Sequence, residues 1–311
     1  EIAAWLDGRG LVDYISCGTG SYLNQFARII PSFQYGTLQG ADDAAAFKAA
    51  VRHAKVTMES RVKTPANAEA VIAAGKCDLV SIVRGQIADP HLANKAKAGR
   101  PEDIRPCISC NQLCIGRRMR DYYIACLVNP SVSRETPWDG DRPAPAEQPK
   151  NVLVVGGGPA GLEAARVAAE RGHRVRLVEK GPELGGQFRL AAGQPDRGEI
   201  GELLTWYQRQ LEKMQVRIEL RRELTAADVE ASDADVVVLA TGSLPSRSGF
   251  QRALPHVDRL PGVDAANVCT AHDVLEGTVT PGHGVLLLDD INGWWPASGT
   301  ALHLALQRHQ A

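Results

Sequence analysis

Four of the seven cysteines in this chain, Cys107, Cys110, Cys114 and Cys126, fall within twenty residues in the spacing C-x2-C-x3-C-x11-C. Thiolates bind metals, and clustering of this kind in a reducing compartment points to metal or redox chemistry rather than to disulfides. Three thiolates within eight residues can occupy three corners of an iron–sulfur cubane, and the distant Cys126 can close the last corner. Zinc is the competing reading, but it prefers two separated C-x2-C or C/H pairs, and the second pair is missing. Arg117, Arg118 and Arg120 lie between the third and fourth cysteines, where they either offset a cluster's negative charge or form a solvated basic face.

The second constellation is Gly156-Gly157-Gly158-Pro159-Ala160-Gly161, placed between the strand-like NVLVV and the helix-like LEAARVAAER. In this setting Gly156 makes a tight turn, Gly158 lets backbone N–H groups approach a pyrophosphate, and Gly161 allows close helix–strand packing. Glu179 closes the next strand 18 residues after Gly161, where a carboxylate can accept hydrogen bonds from an adenosine ribose. Gly185-Gly186-Gln187 and Ala240-Thr241-Gly242 resemble the flavin-side motifs of two-dinucleotide oxidoreductases, favouring FAD or an ADP-like ligand over free NAD. A third signal is weaker. If the first hundred residues belong to a parallel barrel, the turns carrying Ser60-Arg61 and Val83-Arg84-Gly85 converge at its C-terminal face, where a flavin phosphate would sit.

These residues need elements to hold them. Before the cysteines, strands are expected at Leu11 to Ser16, Val56 to Glu59 and Cys77 to Val83. They alternate with an Ala-rich helix after Gly40, a helix capped by Thr64 with Pro65 first and Gly75 beyond its end, and a helix opened by Asp89-Pro90 and stopped at Gly99. Strand–helix units in series imply a parallel sheet and an α/β fold. Ser133 to Lys150, rich in Pro and charge, reads as a linker. Beyond it the pattern resumes: strands at Asn151 to Val155, Val175 to Val178 and Asp235 to Leu239, helices at Leu162 to Arg171 and Gly201 to Met214, and a further unit begun by Val285 to Leu288.

Composition narrows the function. With 35 Lys+Arg against 36 Asp+Glu the net charge is −1, which argues against nucleic acid or an anionic membrane surface as the main partner. No apolar run approaches the ~20 residues of a spanning helix, and the N-terminus lacks a secretory leader, so a cytoplasmic protein is expected. At 311 residues the chain suggests two ordinary domains, but the missing initial Met and the small number of strand–helix units before the cysteines suggest a piece of a longer enzyme. Three strands cannot close a β/α barrel, so this segment alone is expected to hold FMN poorly and to catalyse nothing.

In this order the signals resemble the iron–sulfur flavoproteins of the old yellow enzyme superfamily, the group of 2,4-dienoyl-CoA reductase and the trimethylamine and histamine dehydrogenases. The likeness is carried by VTMESRVKTPANAEAVIAAGKCDLVSIVRGQIADPHLANKAKAGRPEDIRPCISCNQLC and by NVLVVGGGPAGLEAARVAAERGHRVRLVEKGPELGGQF. It implies the C-terminal part of an FMN-binding TIM barrel over residues 1–106, a 4Fe-4S segment over 107–134, and a linker over 135–150. A Rossmann-like FAD or ADP domain over 151–280 and the start of a second nucleotide-binding-like module over 281–311 complete it. By position, Arg61, Val83 and Arg84 become FMN contacts, the four clustered cysteines become cluster ligands, and Ala160, Glu179 and Gln187 contact the second dinucleotide.

Two departures bear on substrate. The loop CGTGSYLNQFARIIPS lacks the His proton donor of the dienoyl-CoA reductases and offers Tyr22, Asn24 and Gln25 instead. VLLLDDINGWWPASGTALHLAL carries Asp289-Asp290 in place of a second Gly-rich fingerprint, and two carboxylates there repel a pyrophosphate. Against this, the x3 spacing between Cys110 and Cys114 is that of the dienoyl-CoA reductases. The resulting expectation is an FMN and 4Fe-4S oxidoreductase that oxidises a small N-methylated amine or amino-acid derivative. The competing expectations are an NADPH-dependent enoate reductase and a non-catalytic zinc- or dinucleotide-binding module. Expected partners are a small-molecule substrate and an electron carrier or NAD(P)H, with a homo-oligomer left open.

Overall fold

The computed structural model of the chain describes residues 1–138, 140, 142–290 and 293–309. Asp139 and Asp141 of the expected linker, Ile291-Asn292 of the last quoted segment and the final two residues of the 281–311 module lie outside the described residues. The chain forms two α/β units, one of Glu1–Glu147 with Thr205–Lys213, the other of Gln148–Leu204 with Met214–Ala311.

The first unit is built on three parallel strands in the order β1-β2-β3: β1 (Tyr14–Cys17), β2 (Lys55–Met58) and β3 (Leu79–Val80). The alternation of β2 puts Val56 and Met58 out of solvent, where they pack with Cys17, Ala44, Val71 and Cys77 against the helices Ala41–Ala50 and Pro65–Ala73. Thr64 caps the second helix by accepting from the Asn67 N–H at 3.1 Å, and Gly75 follows at φ +70°. The expected strand Cys77 to Val83 shrinks to two residues. Only Leu79 and Val80 lie opposite β2, and the backbone turns into the helix Val83–Ala88 immediately after. Val83 is therefore a helix-opening residue rather than a strand end. The helix expected from Asp89-Pro90 starts at Leu92, because the Asp89 carboxylate accepts from the His91 N–H at 3.0 Å and holds a turn before it.

The second unit carries a four-stranded parallel sheet in the order β6-β5-β4-β7: β4 (Asn151–Val155), β5 (Arg174–Val178), β6 (Arg217–Glu219) and β7 (Val236–Leu239). Val152, Leu153 and Val154 are buried, as suits a strand flanked on both edges. The helix Pro159–Glu170 covers β4 with Leu162 and Ala165, both fully buried. The strand expected at Val285 to Leu288 does not form. No strand lies beside it among the described residues, and Leu286 and Leu288 are exposed. The helix Trp295–His309 follows instead. It is held by the Arg197 guanidinium 4.2 Å over the Trp295 ring and by Gln194 donating to the Trp295 carbonyl at 3.4 Å. Among the described residues no helix is long and apolar enough to cross a membrane.

Candidate functional site

The cysteine loop follows the helix Leu92–Lys97 and a short turn at Pro101–Asp103. It winds through two residues in the left-handed region, Ser109 at φ +51° and Asn111 at φ +56°. Such backbone is costly for residues with a Cβ and persists where contacts enforce it. Asn111 supplies them: its side chain donates to the Ile30 carbonyl at 2.8 Å and accepts from Arg84 at 2.6 Å, while its own carbonyl accepts from the Gly116 N–H at 2.9 Å.

The winding brings Cys107, Cys110, Cys114 and Cys126 to one cavity of about 340 Å³, open mouth included, walled also by Arg84, Ile87, Ile108, Leu113, Leu127 and Val128. All four are free thiols. Burial and the neighbouring thiols push the Cys110 thiol up to about 11, against the pull of the Gln112 N–H. Burial likewise raises Cys114 and Cys126, opposed at Cys114 by the Ile115 N–H and the Arg84 charge, and at Cys126 by the N–H groups of Val128 and Asn129. Cys110, Cys114 and Cys126 are therefore protonated near neutral pH, and a metal ion would have to displace those protons to be ligated. Among the described residues no three His, Cys, Asp or Glu side chains converge on a single metal ion. The four thiols share a cavity wall, and four sulfur donors are a set that either tetrahedral zinc or an iron–sulfur cluster takes.

The turns after β2 and β3 lie side by side, since a Cβ on Gly85 would sit 3.2 Å from the Lys63 carbonyl oxygen. Ser60 and Arg61 are both left-handed, at φ +71° and +63°. The buried Arg61 guanidinium donates to the carbonyls of Tyr35 at 2.6 Å and Gly36 at 3.3 Å, so it ties down a loop. Arg84 faces the cysteine cavity and Val83 is exposed. The cysteine cavity is lined by this unit's own residues, whereas the FMN assignment of Arg61, Val83 and Arg84 rests on the resemblance. Tyr22, Asn24 and Gln25 sit on the surface loop after β1, with Tyr22 packed on Phe26.

In the second unit three loops meet at the C-terminal ends of the strands, where β4 has β5 on one side and β7 on the other, a topological switch point. Gly156, at φ +106°, has no room for a Cβ, which would lie 2.3 Å from the Ala240 carbonyl oxygen, and one on Gly161 would lie 1.9 Å from that of Gly156. A Cβ on Gly158 meets nothing within 4 Å. That open ground lies before the exposed Ala160 at the start of the helix Pro159–Glu170, which suits a pyrophosphate. Glu179 accepts from the N–H groups of Gly157 and Gly181, both at 2.6 Å, so its carboxylate braces the glycine turn. Gln187 donates to the Ser243 carbonyl at 2.6 Å, closing the loop after Gly185-Gly186 onto the one containing Gly242. Ser243 and Asn111 were not singled out by sequence; their partners are distant along the chain and no spacing rule reaches them.

A family model described as FAD dependent oxidoreductase matches residues 151–247. The chain is 37% identical over 295 residues to N,N-dimethylglycine/sarcosine dehydrogenase of Chromohalobacter salexigens, an alignment covering 94% of this chain and 42% of that protein. It is 34% identical over 296 residues to a multifunctional alkene reductase/demethylase OYE of Caballeronia cordobensis, covering 94% and 41%. Among solved structures, a 2-naphthoyl-CoA reductase in complex with 2-naphthoyl-CoA superposes with a TM-score of 0.86 at 33% identity, covering 99% of this chain and 44% of that one. The chain thus spans about two fifths of the length of the curated relatives it matches.

Proposed function

Its homologues place this chain in the old yellow enzyme group of flavin-dependent oxidoreductases, and from that premise we propose that it is part of an enzyme oxidising a small N-methylated amine or amino-acid derivative. The observation that carries the redox reading is the pairing, in one chain, of a four-cysteine cavity with a dinucleotide cradle. In this reading Cys107, Cys110, Cys114 and Cys126 hold a 4Fe-4S cluster. Arg61, Val83 and Arg84 contribute to an FMN site, and Gly156, Gly158, Ala160, Gly161, Glu179, Gln187 and Gly242 take FAD or ADP. The boundaries follow the same reading: a barrel end over 1–106, a cluster segment over 107–134, a linker over 135–150, the FAD or ADP domain over 151–280 and a further nucleotide-binding-like module over 281–311.

When bound, a flavin supplies two-electron chemistry toward the substrate and a cluster supplies one-electron transfer onward. The chain's own residues do the holding. The four thiols give up their protons to ligate, and Arg84 places positive charge beside Cys114. The Gly158 turn offers backbone N–H groups without side-chain obstruction. In the net reaction an N-methyl group and one water yield formaldehyde and the demethylated amine, releasing two electrons and two protons to an electron carrier. The relatives that act on N-methylated compounds and the Asp289-Asp290 pair in place of a glycine fingerprint support this reading.

A second reading, an NADPH-dependent enoate reductase, is favoured by the alkene reductase and naphthoyl-CoA reductase relatives. One experiment separates the two. In the anaerobic full-length enzyme, flavin absorbance is followed on adding N,N-dimethylglycine or NADPH. Bleaching by the amine and slow or no bleaching by NADPH is expected; reduction by NADPH fast enough to support turnover of an enoyl thioester reverses the assignment. A colourless, zinc-containing protein sinks both.

A further inference from the structure

We propose that Arg105 and Asn129 form a positioning pair that fixes the fourth cysteine, Cys126, against the C-x2-C-x3-C loop; this deepens the cluster reading and rests on it. Eleven residues separate Cys126 from Cys114, so chain proximity does not hold it at the cavity. The Ala125 N–H donates to the Leu113 carbonyl at 2.9 Å just before it, and a polar network just after it completes the hold. The Arg105 guanidinium donates from Nη1 to the Val128 carbonyl at 2.9 Å and to Asn129 Oδ1 at 3.3 Å. Asn129, buried, donates from Nδ2 to the Ile87 carbonyl at 3.0 Å, and its Oδ1 also accepts from the N–H of Ser131 at 3.2 Å and its hydroxyl at 2.7 Å. Ile87 and Val128 are both cavity walls. One guanidinium thus joins the strand of chain entering Cys107 to the turn leaving Cys126, and one amide joins that turn to the helix Val83–Ala88.

Arg105 is itself held in place. Its N–H donates to Asp89 Oδ2 at 2.8 Å, a buried carboxylate that also takes Lys95 Nζ at 2.6 Å. Its guanidinium lies 4.7 Å over the Trp206 ring, and the Trp206 indole N–H donates to the Asp103 carbonyl at 3.0 Å. Both bonds leave Nη1, so what the planar guanidinium adds over a lysine ammonium is its face, which stacks on the indole while Nη1 serves the two oxygens. Buried, satisfied networks of this kind specify one geometry, so loosening it releases one ligand of four rather than the whole loop.

The test uses Arg105→Ala, Arg105→Lys and Asn129→Ala in the full chain, loaded anaerobically with iron and sulfide. Iron and sulfide per chain, the electron paramagnetic resonance spectrum, the midpoint potential and far-UV circular dichroism are compared with wild type. The alanine variants are expected to keep the wild-type dichroism and to carry about one iron fewer per chain, with a three-iron signal in the oxidised state. Arg105→Lys is expected to recover iron but to show a shifted potential. Wild-type iron content, spectrum and potential in all three variants overturns the proposal. If the alanine variants misfold, Arg105→Lys decides: a shifted potential with wild-type dichroism supports the pair, and an unshifted one overturns it. A wild-type chain that binds no iron and sulfide overturns the cluster reading itself, and this proposal with it.

Discussion

At the residue scale, the glycines of the turn from Gly156 to Gly161 separate space needed for folding from space left open. A methyl group on Gly161 would lie 1.9 Å from a backbone oxygen that has nowhere to go, whereas one on Gly158 enters open ground from an extended backbone at φ −72°. Gly161→Ala should therefore destabilise the unit by ~3 kcal/mol or more, and Gly158→Ala should change stability by less than ~0.5 kcal/mol. The same Gly158→Ala change should weaken FAD or ADP binding at least ~10-fold, about 1.4 kcal/mol. Thermal denaturation and calorimetric titration of both variants check this; equal losses of stability would show that the two glycines do the same job. The motif was legible in sequence because each glycine answers to a local rule of turn and packing. Glu179 was legible as a position but not as a contact: its two oxygens brace Gly157 and Gly181, a detail set by how the turn closes in three dimensions.

Elements read well where their signals are local. Thr64-Pro65 and Gly75 bracket a helix by capping and by a left-handed stop, and both do so in the structure. Strand length is different, because it depends on a neighbour: β3 lasts only as long as β2 faces it, and Val285 to Leu288 has apolar residues but no strand beside it. Another tertiary device absent from any sequence pattern is Asp7, whose buried carboxylate accepts from the N–H groups of Arg52, His53 and Ala54 at 2.7, 3.0 and 2.6 Å and so sets the entry to β2. The Ala54 and Arg52 N–H bonds hold its pKa below the ordinary 3.8. A carboxylate with a lowered folded-state pKa contributes stability that is complete above its ordinary value and lost as pH falls through the folded value. Asp7→Asn should accordingly lower the melting temperature at pH 7, and the gap from wild type should narrow as pH drops below 3.8. Melting curves from pH 7 to pH 2 measure it, and a gap independent of pH would remove the carboxylate's charge from the account.

At the scale of the whole molecule, the two candidate sites belong to different units of the chain. The cysteine cavity is walled entirely by residues between Arg84 and Val128, within the unit that carries β1 to β3, and the glycine cradle belongs to the unit that carries β4 to β7. That Thr205–Lys213 belongs with the first unit was not legible in the sequence, because a helix pattern does not say which core its far end serves. Substitutions with no shared partners act additively, so damage to one site should leave the other untouched. Cys110→Ser removes one of the thiols lining the cavity, and the resulting protein should lose the iron and the broad dithionite-bleachable absorbance that the cluster reading requires. Binding of FAD or ADP by the same protein should stay within about twofold of wild type. Iron analysis, visible spectroscopy and dinucleotide titration on a single preparation decide the matter. Joint loss of iron and dinucleotide affinity would mean that the second unit depends on the cluster for its fold, and the division of labour argued from the two sheets would have to be abandoned.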